Sequence, residues 1–176
     1  SDFMAWIKIE GTNINYPVMR SKDNPNYYLN HNFNKEYSRF GVPYMQEYCD
    51  MQSDNIVIYG HNMQNKSMFN ELTSYKSKHF YEKHKIIVID TTLEHREYEV
   101  IAVFKTVAYE SNSFEYYNFV NASTEDDYRA YIEKCKALSL YDTGIDAKYG
   151  DKLITLSTCE YSQDNGRFVV VAKLVD

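Results

Sequence analysis

A chain of 176 residues, 44% hydrophobic and 25% charged, is long enough for one domain with a buried core and has the composition of an ordinary globular protein. Its net charge of −6 argues against a broad nucleic-acid footprint, and no apolar run approaches the roughly 20 residues that cross a bilayer. Tyrosine is the departure: 18 copies point to β structure and amphipathic surfaces.

No repeat, low-complexity tract or flexible linker divides the chain, so residues 1–176 read as a single domain. Residues 6–10 and 14–19 flank Gly11-Thr12-Asn13, a strand, a turn and a strand. Residues 23–50, rich in Asn and Tyr, read as loop with short helical or strand pieces. The unbroken apolar run at 56–59 is a buried strand that leads into Gly60-His61. Residues 67–81 read as helical, 86–90 and 97–109 as strands. Residues 123–138 carry the clearest helix pattern. Ser123 or Thr124 can cap it, with Asp126 or Asp127 as the capping-box partner, and Tyr128, Tyr131, Ile132, Cys135 and Leu138 form one apolar face. Strands at 152–158 and 167–175 close the chain. Many strands with few helices predict a mainly β fold, a barrel or sandwich with appended helices.

Three cysteines cannot all pair within one chain and are too few for a disulfide framework, so at least one is a free thiol. Cys135 lies on the apolar helix face and belongs to the core. Cys49 follows Tyr48 in a loop, where it could be exposed. Cys159 ends the β-type run Thr155-Leu156-Ser157-Thr158-Cys159, and Arg167 opens the next strand after Asp164-Asn165-Gly166, a turn sequence. If that turn joins adjacent antiparallel strands, a guanidinium lies beside the thiol. It would favour thiolate and donate to a developing oxyanion. His61, just past another strand, is the residue type that protonates a leaving amine near neutral pH. Each residue also has a plainer reading: most free cysteines are packed core residues, and a strand-end histidine often bonds a backbone carbonyl. Spacing alone does not bring the three together. No zinc spacing, phosphate loop or dinucleotide fingerprint occurs, so neither a metal nor an organic cofactor is expected.

The run Thr155-Leu156-Ser157-Thr158-Cys159, with Arg167 downstream and His61 at the end of an upstream strand, resembles the TLxTC signature of sortases, most closely those of class B. The resemblance extends from Trp6 to Leu174, and the helix at 123–138 is similar to the one class B members carry before the Cys-bearing strand. It implies a closed eight-stranded barrel and a cysteine transpeptidase of the outer face of a Gram-positive membrane, with its N-terminal anchor outside this chain. Cys159 would attack the Thr carbonyl of a C-terminal sorting motif, NPxT- or LPxT-type, and form a thioester. His61 would protonate the departing amine, Arg167 would hold the oxyanion, and a cell-wall precursor amine would resolve the thioester, anchoring a surface protein. Leu29, Tyr59, Ser157, Thr158 and Glu160 match substrate-contacting positions. Tyr161 departs from members with an acidic residue there. Two other readings use the same residues: a cysteine peptidase with water as acceptor, and a non-catalytic wall-binding barrel in which Cys159 is buried.

Overall fold

The computed structural model describes residues 1–175. Its strands are β1 (Phe3–Lys8), β2 (Asn15–Met19), β3 (Tyr44–Met45), β4 (Asn55–Tyr59), β5 (Ile86–Asp90), β6 (His95–Val107), β7 (Leu153–Cys159) and β8 (Gly166–Val175). They close into a barrel in the order β1-β2-β3-β4-β7-β8-β6-β5, with β5 returning to β1. The barrel settles the choice left open between barrel and sandwich. Most neighbours are antiparallel, but β2–β3 and β4–β7 are parallel. A parallel pair needs a long crossover, and everything from residue 60 to 152 supplies it between β4 and β7.

The unbroken apolar run of β8 follows from burial on both faces. Phe168, Val170 and Ala172 pack inside the barrel, whereas Val169 and Val171 pack outward. What covers the outer face is α2 (Glu125–Leu138), which buries Tyr128, Tyr131, Ile132 and Cys135 against Ile101, Phe104 and Leu153. Thr124, not Ser123, caps this helix, its hydroxyl accepting from the Asp127 amide at 3.1 Å. The reciprocal carboxylate bond of a capping box is not made. On β7 the outward side chains include polar ones, each satisfied. Tyr131 Oη and Thr155 Oγ1 lie 2.7 Å apart, and Thr155 also donates to Asn55 Oδ1 at 2.8 Å. Buried hydroxyls on a strand are tolerated because partners of this kind meet them.

Two expectations need correction. Residues 67–81 form no continuous helix: a 3₁₀ stretch, Asn70–Lys76, is followed by α1 (Lys78–Lys83), with extended Ser77 between them. Phe69, Leu72 and Tyr75 are all fully buried, and their spacing of three suits the 3₁₀ repeat rather than 3.6 residues per turn. Cys49 is not exposed. A tight turn after β3, with the Cys49 amide bonded to Gln46 O at 3.0 Å, folds it under β4, where its sulfur receives the Val57 amide at 3.4 Å.

Asp54 pins the base of the β4–β7 seam. Its carboxylate accepts from Lys152 Nζ at 3.0 Å and from the Ala122 amide at 2.9 Å. Partial burial opposes its ionisation, but these two donors overcome burial and hold the carboxyl below its ordinary 3.8. The charged form therefore stabilises the fold above that value, and the contribution is lost as pH falls through the folded-state pKa. Asp54→Asn should melt at lower temperature than wild type at neutral pH, and the difference should shrink in acid. Thermal melts across that range check it; a difference independent of pH would mean that the charge contributes nothing.

Candidate active site

Parallel pairing sends the C-terminal ends of β4 and β7 to the same rim, with Tyr59 opposite Ser157 as the last rung. His61 and Cys159 each lie two residues further on. β8 runs antiparallel to β7 and brings Arg167 directly opposite Cys159. Three residues separated in sequence thus share one rim. Side chains alternate along a strand, so Cys159 continues the outward series Leu153, Thr155, Ser157 and opens toward a cleft on the barrel's outer wall. The cleft has a volume of about 420 Å³, and Cys159, His61, Arg167, Leu29, Tyr59, Ser157 and Thr158 all line it. Glu160 does not. Its carboxylate turns away to Ser162, with Lys105 at 3.8 Å.

The turn between β7 and β8 is as tight as its sequence suggests. Asn165 sits in the left-handed region at φ 55°, and Gly166 is required because a Cβ there would stand 2.4 Å from Glu160 O. Gly60 is equally constrained: a Cβ would fall 2.6 Å from the Phe69 ring. That ring is core, so the chain passes closely over it before reaching His61.

The His61 Nε2 lies 2.6 Å from Leu29 O. A carbonyl only accepts, so Nε2 carries a proton and Nδ1 is the other ring position. Leu29, read as an apolar substrate contact, therefore also orients the imidazole through its backbone. Arg167 donates to Gly166 O at 3.0 Å, and its guanidinium stands 5.7 Å from the Tyr109 ring centroid. No carboxylate lines the cleft among the described residues, so the guanidinium remains available to an incoming carbonyl oxygen.

Several lining residues were not singled out in the sequence: Asn26, Tyr44, Ala108, Tyr109, Tyr116 and Tyr117. Tyr44 comes from the two-residue strand β3 and the others from connections between strands, and the only trace of the tyrosines was their overall excess. Tyr116 Oη is 2.6 Å from Ser157 Oγ. Burial pushes the Tyr116 and Tyr44 phenols up to about 12, so both are neutral at physiological pH. The walls are thus aromatic and uncharged, with one thiol, one imidazole and one guanidinium at the rim. A peptide carbonyl seated there could meet a sulfur nucleophile, a proton carrier and an oxyanion donor together.

The sortase domain family matches residues 7–175. Among characterised proteins, sortase B of Staphylococcus aureus is 34% identical over 99% of this chain and 70% of its own length. Sortase B of Listeria monocytogenes is 36% identical over the same shares. A solved Staphylococcus aureus sortase B–substrate complex superposes with a TM-score of 0.90 at 33% identity, covering 99% of this chain and 80% of that one.

Only one of the three thiols is accessible. Cys49 and Cys135 are buried, whereas Cys159 is part-exposed. Burial pushes the Cys49 thiol up to about 11 and the Cys135 thiol up to about 12. Native protein should therefore take up one equivalent of an alkylating reagent at neutral pH, on Cys159, and denatured protein three. Peptide mapping after labelling checks this; labelling of Cys49 or Cys135 in the native state at a similar rate would contradict it.

Proposed function

The chain belongs to the sortase family of cysteine transpeptidases, and from that premise we propose that Cys159, His61 and Arg167 carry its reaction, with residues 1–176 acting as one catalytic domain. The observation that supports the assignment best is the meeting of all three at one rim, Cys159 paired with Arg167 across β7–β8 and His61 two residues past the last β4–β7 rung. The substrate is a protein bearing a C-terminal sorting motif of NPxT or LPxT type. Its peptide lies in the tyrosine-lined cleft against Leu29, Tyr59, Ser157 and Thr158. The sequence also named Glu160 as a contact, and its position outside the cleft lining argues against direct contact with the motif.

In the acylation step the Cys159 thiol passes its proton to His61, and the sulfur adds to the Thr carbonyl carbon. Arg167 donates to the oxygen as it becomes an oxyanion, where a fixed donor is worth most. The C–N bond then breaks, the amine leaves with a proton from His61, and a thioester remains. With Nε2 engaged by Leu29 O, Nδ1 is the nitrogen left to carry that proton. A cell-wall precursor amine attacks the thioester, His61 takes its proton, and a new amide departs as the thiol is restored. No step calls on a metal or organic cofactor.

Sortases are associated with the cell surface. No helix among the described residues is long and apolar enough to cross a membrane. We infer from that association that the protein works on the extracellular face of the membrane.

Product analysis with a sorting-motif peptide, with and without an added amine such as triglycine, tests the reading. The expected product with amine is a new amide, and free acid alone under both conditions would instead identify a hydrolase. Arg167→Lys should lose on the order of a hundredfold in kcat/KM, because an ammonium cannot reproduce the planar two-pronged donor. An Arg167→Lys enzyme close to wild type would remove Arg167 from the site.

A further inference from the structure

The β4–β7 ladder ends at Tyr59 and Ser157, yet the chain ends beyond it stay fastened. The Gly60 amide donates to Ser157 O at 3.1 Å, and Thr158 Oγ1 donates to Gly60 O at 2.7 Å. Two residues past Gly60, Asn62 takes over. Its Nδ2 donates to Cys159 O at 2.9 Å, and its Oδ1 accepts from Asn70 Nδ2 at 2.7 Å. Its backbone carbonyl accepts from Tyr161 Oη at 3.0 Å. Asn62 thus follows His61 in the chain and bonds to Cys159 across the seam. It also receives the loop that follows Cys159.

The network is directional. Cys159 O can only accept, so Asn62 must present its amino group there, and the Asn70 amino group on Oδ1 holds that orientation. Asn62 is not among the residues lining the cleft, so its side chain is placed to touch Cys159 and Asn70 rather than a bound peptide. Asn70 opens the 3₁₀ stretch that buries Leu72 and Tyr75, which anchors the clamp to the core.

We propose that Asn62 is a positioning residue for the reaction: its amide clamps the Cys159 backbone to the residue next to His61, so that thiol and imidazole keep their mutual placement while the peptide is exchanged. The proposal rests on the assignment of Cys159 and His61 to the chemistry. Small displacements of reacting groups are costly. A shift of about 1 Å is enough for a loss on the order of a hundredfold, while binding of the peptide along the tyrosine walls would be little affected.

The test is steady-state transpeptidation with a sorting-motif peptide and triglycine by wild type, Asn62→Ala, Asn62→Asp, Asn70→Ala and the Asn62→Ala/Asn70→Ala double variant. Thermal melts of each accompany the kinetics. Asn62→Ala should lower kcat by roughly tenfold to a hundredfold with KM within about twofold of wild type. Asn62→Asp should fall as far, since it keeps the Asn70 bond but turns a carboxylate oxygen toward a carbonyl. Asn70→Ala should lose less, and the double variant should be no worse than Asn62→Ala alone, as for groups acting in one chain. A kcat for Asn62→Ala within about twofold of wild type would overturn the proposal. So would losses that simply add in the double variant, or a raised KM with kcat intact. If Asn62→Ala does not fold, Asn70→Ala and Tyr161→Phe each remove one peripheral bond, and wild-type kcat in both would overturn it equally. A fully active Cys159→Ala enzyme would instead overturn the catalytic assignment itself, whatever the Asn62 variants do.

Discussion

The parallel register between β4 and β7 is the constraint on which the rest depends. Five rungs, Asn55 with Leu153 through Tyr59 with Ser157, set two strand ends side by side, and a slip by one residue would turn every side chain to the other face. Tyr131, Thr155 and Asn55 hold the middle of that seam through buried hydroxyl and amide bonds. Asp54 and Lys152 hold its base. At the open end, backbone pairing gives way to Thr158 and Asn62, which bond across to Gly60 and Cys159. The reactive rim is therefore built on a seam anchored along its length, and α2 backs it by burying the outer face of β7 and β8.

The cleft on that rim combines two environments. Its walls are tyrosines from β3, β4 and the β6–β7 connection, and those most buried stay neutral. Its rim carries the polar groups suited to chemistry. Under the proposed assignment, neutral aromatic walls would accept an extended peptide without competing for the guanidinium, and their low dielectric would strengthen what Arg167 does for an oxyanion. Of the three thiols, Cys159 alone opens on that cleft: Cys49 and Cys135 are equally free of disulfides but buried.

How much of this was legible in the sequence depended on whether a signal was local. β8 was readable because burial on both faces leaves an unbroken apolar run, and α2 because one face repeats at 3.6 residues. Cys159, His61 and Arg167 could each be placed at a strand end from the runs beside them. The turn at Asp164-Asn165-Gly166 pointed to Arg167 lying beside Cys159. The arrival of His61 could not be derived that way, because the β4–β7 contact joins segments nearly a hundred residues apart, and only the resemblance to sortases pointed to it. Tyr44 sits on a strand of two residues, and Tyr109, Tyr116 and Tyr117 in the β6–β7 connection, with no periodicity to mark any of them. Cys49 escaped for a related reason, since a single turn after β3 decides its burial and no pattern records that turn. Asn62 is a plain polar residue after a histidine, and its part appears only once its partners are in space.

One consequence of the proposed mechanism can be read directly from the protein: the peptide is held by a bond to the Cys159 sulfur between cleavage and transfer. Intact-mass measurement followed by peptide mapping, after brief incubation with an NPxT- or LPxT-type peptide in the absence of amine, tests it. The expected result is an acyl adduct located on Cys159, absent from Cys159→Ala and discharged on addition of triglycine. An adduct on another residue would contradict it. So would amide formation by Cys159→Ala at the wild-type rate.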